Sequence, residues 1–123
     1  MFRVFLACGA ISAFLAVAAG AFGAHALRAR LSDELLSSFE TAARYQMFHA
    51  LALVMVALSL AAGSANRLVV VSGWLFIAGT LLFSGSLYLL SLTGQRWLGA
   101  ITPLGGVAWL IGWALIAYTA IRP

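Results

Sequence analysis

The sequence predicts an all-α membrane protein, a four-transmembrane-helix antiparallel bundle with an interfacial amphipathic helical segment between spans one and two. Three observations lead there. Only ten of the 123 residues are charged: seven Arg, two Glu and one Asp. They stand at positions 3, 28, 30, 33, 34, 40, 44, 67, 96 and 122, leaving charge-free runs of 24, 22, 28 and 25 residues. Each run exceeds the roughly 20 apolar residues that carry a helix across a hydrocarbon core about 30 Å thick. Third, the connections are unequal. Two are short turns, whereas 28–44 holds six of the ten charges.

The same numbers exclude other classes. Hydrophobic residues make up 64% and charged residues 8% of the chain, against about 25% charged in soluble domains. Ten charges could not cover that much apolar surface in water. Disorder requires the opposite composition. Barrel strands would alternate with period two over about ten residues, and these runs do not. The net charge of +4 comes from arginines scattered at span ends, where they reach lipid phosphates or water, so no nucleic-acid partner is expected.

Residues 1–123 read as one transmembrane domain, with spans about 4–27, 45–63, 68–93 and 103–121. Span one follows Arg3 and is longer than a signal-peptide core, so it is expected to be retained. Its Ala16, Gly20 and Ala24 form a small-residue stripe, with Gly23 beside it, suited to helix packing. The single Cys8 excludes an intramolecular disulfide.

The 28–44 connection reads as a polar turn leading into a helix. Ser32 is an N-cap, and Asp33 and Glu34 favour the positive helix end. Glu40 and Arg44 have the i,i+4 spacing of an ion pair. Leu35, Leu36, Phe39, Ala43 and Met47 form an apolar side, and Thr41, Tyr45 and His49 a polar line. This helix either lies in the interface and bends into span two or begins span two outside the bilayer.

Span three carries a polar stripe of Thr80, Ser84, Tyr88 and Ser91, read as interhelical or back-bonded hydroxyls or as a solvated pathway. Gly85 is its small packing residue. Thr102 and Pro103 open span four as N-cap and N1, and Gly105 and Gly112 offer close packing. Trp97, Trp109, Trp113 and Tyr118 read partly as interfacial anchors and partly as packing.

Alternating crossings sort the loops onto two sides. The N-terminus, the 63–67 turn and the C-terminus share the first. The 28–44 connection and the 94–103 turn share the second, where a polar rim of His25, Glu40, Arg44, Tyr45, Gln46, His49, Tyr88, Arg96 and Thr102 collects. The arginines divide three and four between the sides, too evenly for the positive-inside rule to orient the chain.

Three readings of the rim stand side by side. His25 and His49 could ligate a metal or haem, with Glu40 or a second subunit completing the set. Arg28, Arg30, Arg44, Arg96 and Trp97, with the N-termini of spans two and four, suit a phospholipid headgroup or other anion. The rim could also be a structural cap. No Ser-His-Asp set, HExxH, paired carboxylates or phosphate loop is present, so no catalytic residue, metal or cofactor is assigned.

The segments GAFGAHAL (20–27), TAARYQMFHALAL (41–53), LLFSGSLYLL (81–90) and TGQRWLGAITPLGG (93–106) resemble the YgdD/YwdK-like family of small bacterial integral membrane proteins. The likeness covers nearly the whole chain in order and spacing. It implies a four-span protein of the bacterial cytoplasmic membrane, and no activity, because the family is one of unknown function. The matching positions are Gly20, Gly23, His25, Tyr45, Gln46, His49, Ser84, Gly85, Tyr88, Arg96, Trp97, Thr102, Pro103 and Gly105. The expected function is a non-enzymatic structural or accessory membrane component whose rim binds lipid headgroups, with membrane lipids and a homo-oligomer or membrane-protein partner. The alternative is a transporter or channel component working as an oligomer through the Thr80–Ser91 stripe.

Overall fold

A computed structural model describes residues 1–122, the side chain of Ala24 excepted. It is all-helical among the described residues, with four helices long and apolar enough to cross a membrane. Helix α1 runs Phe2–Phe22 and continues through a π turn, Gly23–Leu27. Helix α2 runs Asp33–Ala61, α3 Arg67–Thr93 and α4 Thr102–Ile121, the last preceded by a 3₁₀ turn, Arg96–Ala100. The closely packed pairs are consecutive: α1 with α2, α2 with α3, α3 with α4. The outer faces remain apolar: Phe14, Leu81 and Leu110 are 70% or more exposed. Those faces belong against lipid.

Local chemistry accounts for most boundaries. The Ser32 hydroxyl accepts from the Leu35 N–H at 3.2 Å, with Asp33 and Glu34 in the first turn of α2. From that cap α2 is one unbroken helix of 29 residues, about 43 Å long. The connection between spans one and two therefore is not a separate interfacial helix. After a turn at 28–32, its residues 33–44 are the first turns of α2, the second of the two readings, so span two's helix starts well before Tyr45. Gly63, at φ +96°, and Gly94, at φ +73°, reverse the chain after α2 and α3, where a side chain would be strained. Asn66 caps α3 through a 2.8 Å bond from the Leu68 N–H.

One helix end is irregular, and one local expectation needs correction. Span one does not end as a regular helix: its last five residues form the π turn, with Gly23 against Phe39. A Cβ on Gly23 would stand 2.8 Å from the Phe39 ring, so ring and glycine specify one another. Thr102 is not an N-cap. Ile101 precedes it in helical conformation, φ −80° and ψ −33°, because the 3₁₀ turn leads almost directly into α4. The Thr102 hydroxyl instead pairs with Ser86 of α3 at 2.6 Å.

Lipid supplies no hydrophobic drive for helices to associate, so close approach and buried hydrogen bonds must do it. Aromatic rings seat on glycines: Phe5 on Gly73, Trp109 on Gly79, and Phe76 on Gly112. Gly105 brings the α4 backbone against Phe83 N and Gly79 O of α3, and Gly9 brings α1 against Ala50 O of α2. Of the predicted packing residues, Gly23, Gly105 and Gly112 make such contacts and Ala16 is buried. Gly20 and Gly85 are not packing positions: nothing lies within 4 Å of where their Cβ would be. The side chain of Ala24 lies outside the described residues.

Candidate functional site

The predicted rim divides into two buried sets and one exposed set. The first buried set joins three helices through Gln46 of α2. Its Nε2 donates to Ser12 O of α1 at 3.0 Å and approaches Ser12 Oγ at 3.3 Å. Its Oε1 accepts from the Tyr88 hydroxyl of α3 at 2.6 Å. One turn away, Ser84 donates to Ala42 O at 2.8 Å. Every hydrogen-bonding direction of the amide but one is occupied, and Gln46 is 6% exposed. Such a buried amide is stable in lipid only when its partners are in place.

Because Gln46 and Tyr88 act as a pair, their coupling is measurable. A double-mutant cycle of Gln46→Ala and Tyr88→Phe, read by unfolding in mild detergent, is expected to give a coupling of about 0.6–1.7 kcal/mol, between the average and the largest value for interhelical bonds in membranes. Additive losses would show that the 2.6 Å contact carries no energy.

The second buried set centres on His49. Its Nδ1 lies 2.8 Å from Tyr45 O, and its Nε2 accepts from Trp113 Nε1–H at 3.0 Å. An acceptor on one nitrogen and a donor on the other fix the tautomer: the proton is on Nδ1 and the ring is neutral. The ring stacks on Trp109, centroids 3.8 Å apart and 3° from parallel. Trp109 in turn donates to Phe76 O at 3.3 Å. Tyr45 and Phe83 border the same indole at 6.1 and 4.5 Å. Large side chains thus tie α2 to α4 across their gap.

With both nitrogens engaged, His49 has no free lone pair for a metal or haem, and His25 is exposed on the π turn, two residues after the Gly23 that meets Phe39, roughly 15 Å along α2 from His49. The sequence reading that joined these two histidines does not hold. Among the described residues, no three or more His, Cys, Asp or Glu side chains lie close enough together to hold a metal ion.

The exposed set consists of arginines. Arg28, Arg30, Arg44 and Arg96 all face outward at the end of the bundle where α2 begins and α3 ends, and Trp97 lies 64% exposed beside them. Arg96 pairs with Glu34 at 3.8 Å, with both side chains more than 70% exposed, so the pair contributes little stability. It nevertheless joins the α3–α4 connection to the start of α2. Glu40 and Arg44 do not form the i,i+4 ion pair their spacing predicted.

The span-three stripe is largely consumed. Ser84 and Tyr88 bond to α2, and Ser91 back-bonds to Leu87 O at 2.6 Å. Thr80 Oγ1 is the buried side-chain atom without a partner among the described residues, beside a cavity of about 250 Å³ whose lining includes Cys8, Ser12 and Gln46.

Sequence reasoning missed Ser12, an isolated hydroxyl in an apolar run. It also read Trp109 and Trp113 as partly interfacial. Their i,i+4 spacing, matching that of Tyr45 and His49, was the available signal.

Residues 19–106 match a family described as protein of unknown function (DUF423). The whole chain is similar to the UPF0382 membrane protein YwdK of Bacillus subtilis, 49% identical over 120 residues and 98% of each chain. It is also similar to a UPF0382 membrane protein of Staphylococcus epidermidis, 47% identical over 98% of this chain and 97% of the relative. A Staphylococcus saprophyticus relative is 46% identical over 93% of both chains. No solved structure matches.

Proposed function

The chain belongs to the DUF423 family, proteins of unknown function, and on that premise we propose that it is a non-enzymatic structural or accessory component of the bacterial cytoplasmic membrane that binds phospholipid headgroups at its arginine-bearing end. One observation carries the reading. Gln46, Tyr88, Ser84 and His49 are spent on joining one helix to another, while Arg28, Arg30, Arg44 and Arg96 are left outward at one end. Gln46, Tyr88 and His49 are the side chains that an acid–base or ligand-binding role would need. Each is committed to another helix or its own backbone. Guanidinium groups match phosphate geometry with paired donors.

The test is lipid retention. Extracted in native lipids and analysed by native mass spectrometry, the protein is expected to retain phospholipid, and Arg28→Gln/Arg30→Gln to weaken that retention. At about 1 kcal/mol for each arginine near a charged membrane surface, two losses amount to roughly thirtyfold. Unchanged retention and assembly in the double variant would remove the headgroup role.

A further inference from the structure

We infer that the groove between α1 and α2 is a seat for one phospholipid bearing a primary ammonium, a phosphatidylethanolamine, with its phosphate on Arg44, its ammonium on Glu40 and an acyl chain laid over Gly20. This rests on the headgroup reading above and adds the lipid class and the seat.

The groove is a shallow, open one of about 310 Å³ between Ala16, Gly20, Ala43 and Met47, with Glu40 and Arg44 at one end and Phe48 at the other. Gly20 does not serve helix packing. Its missing side chain leaves open space where a Cβ would stand. In α1 the chain deepens toward lower numbers and in α2 toward higher ones, so the apolar floor leads from the charged mouth into the hydrocarbon. From Glu40 to Phe48 it extends about 12 Å along α2, a path shaped for a tail rather than for a compact solute.

The mouth carries both signs. Glu40 and Arg44 are helical neighbours, with Cβ atoms about 5–6 Å apart, yet they form no ion pair, whereas Glu34 and Arg96 do. A half-buried carboxylate at the membrane boundary needs a cation, and this one has none within 4 Å among the described residues. An ethanolamine headgroup provides an ammonium two carbons from its phosphate ester, which meets both side chains at once. Its N–H groups form charge-assisted bonds to Glu40. A trimethylated choline has no N–H to give. A purely anionic headgroup would satisfy Arg44 and be repelled by Glu40.

The full chain, purified and incubated with equimolar ethanolamine, choline and glycerol phospholipids of identical tails, tests this by native mass spectrometry. The expected result is a single tightly held lipid, with ethanolamine favoured over choline roughly tenfold, about 1.4 kcal/mol. Glu40→Gln should reduce that preference to near unity. Gly20→Leu places its Cβ in open space and carries the rest of its side chain into the groove, and should abolish the tight adduct without lowering the melting temperature.

Equal retention of ethanolamine and choline lipids, or tight retention surviving Gly20→Leu, would overturn the seat. So would Gly20→Leu separating a dimer while lipid stays bound, since the groove would then hold a second copy. Loss of retention in Arg28→Gln/Arg30→Gln alongside indifference to Gly20→Leu would sink the seat and spare the headgroup reading. A wild-type protein that retains no phospholipid would sink both.

Discussion

Gly105→Ala is expected to destabilise the bundle by about 3 kcal/mol, at the upper end for overpacking by a single methyl. The added Cβ would collide with Phe83 N and Gly79 O, both backbone atoms of α3. A side chain can rotate away from a crowding methyl, but a helix backbone can only move as a unit. The α3–α4 seam would therefore separate along its length, drawing Trp109 from its notch on Gly79. Gly85→Ala is the matched control on the same seam's other helix. Nothing lies within 4 Å of its Cβ position, so the gain in helix propensity, up to about 1 kcal/mol, should appear unopposed. Thermal unfolding of both variants in one detergent checks the pair. Equal effects would mean that the Gly105 approach is not a tight one.

Trp109→Ala should cost about 3–5 kcal/mol, as for large aromatic truncations in packed interiors. One indole fills the Gly79 notch, lies against the His49 ring, bonds to Phe76 O and borders Tyr45 and Phe83. Its removal leaves a void where α2, α3 and α4 meet, and takes from the Phe76 carbonyl the donor it has beyond its own helix. Trp109→Phe keeps most of the volume but not the N–H, so its additional loss should be nearer 1 kcal/mol. Helicity retained in SDS against unfolding in denaturant would separate a loosened bundle from melted helices. A Trp109→Ala protein as stable as Trp109→Phe would show that volume at this position does not matter.

The spans were legible because a charge in hydrocarbon is so costly that ten side chains punctuate the whole chain. The Ser32 cap was legible too, because an N-cap is a local contract between a hydroxyl and the next turn. The glycines were not. Gly20 and Gly105 look alike in sequence, yet one faces open space and the other a backbone. What separates them is the neighbouring helix, and small-residue spacing carries no record of that neighbour.

The candidate site shows the same division. Its arginine end followed from alternating crossings alone. The bonds of His49 did not, since the indole that reaches it is 64 residues away. Tryptophan also has a competing habit of sitting at membrane interfaces, and that habit obscured the inward role of Trp109. Ser12 shows no periodicity at all, and only the folded chain reveals its contact with Gln46, 34 residues on.

The consecutive packing of the helices bears on how the protein is made. Residues leave a ribosome at about 5–20 per second, and each new helix here finds its main partner already present in the one just before it. The α1–α2 hairpin can close once Ala61 has emerged, and α3 then adds Gly73 beneath Phe5. The α3–α4 seam and the aromatic link from His49 wait for the end, when Trp109 and Trp113 arrive on α4. The last helix to enter the membrane is thus the one that locks the earlier ones in place.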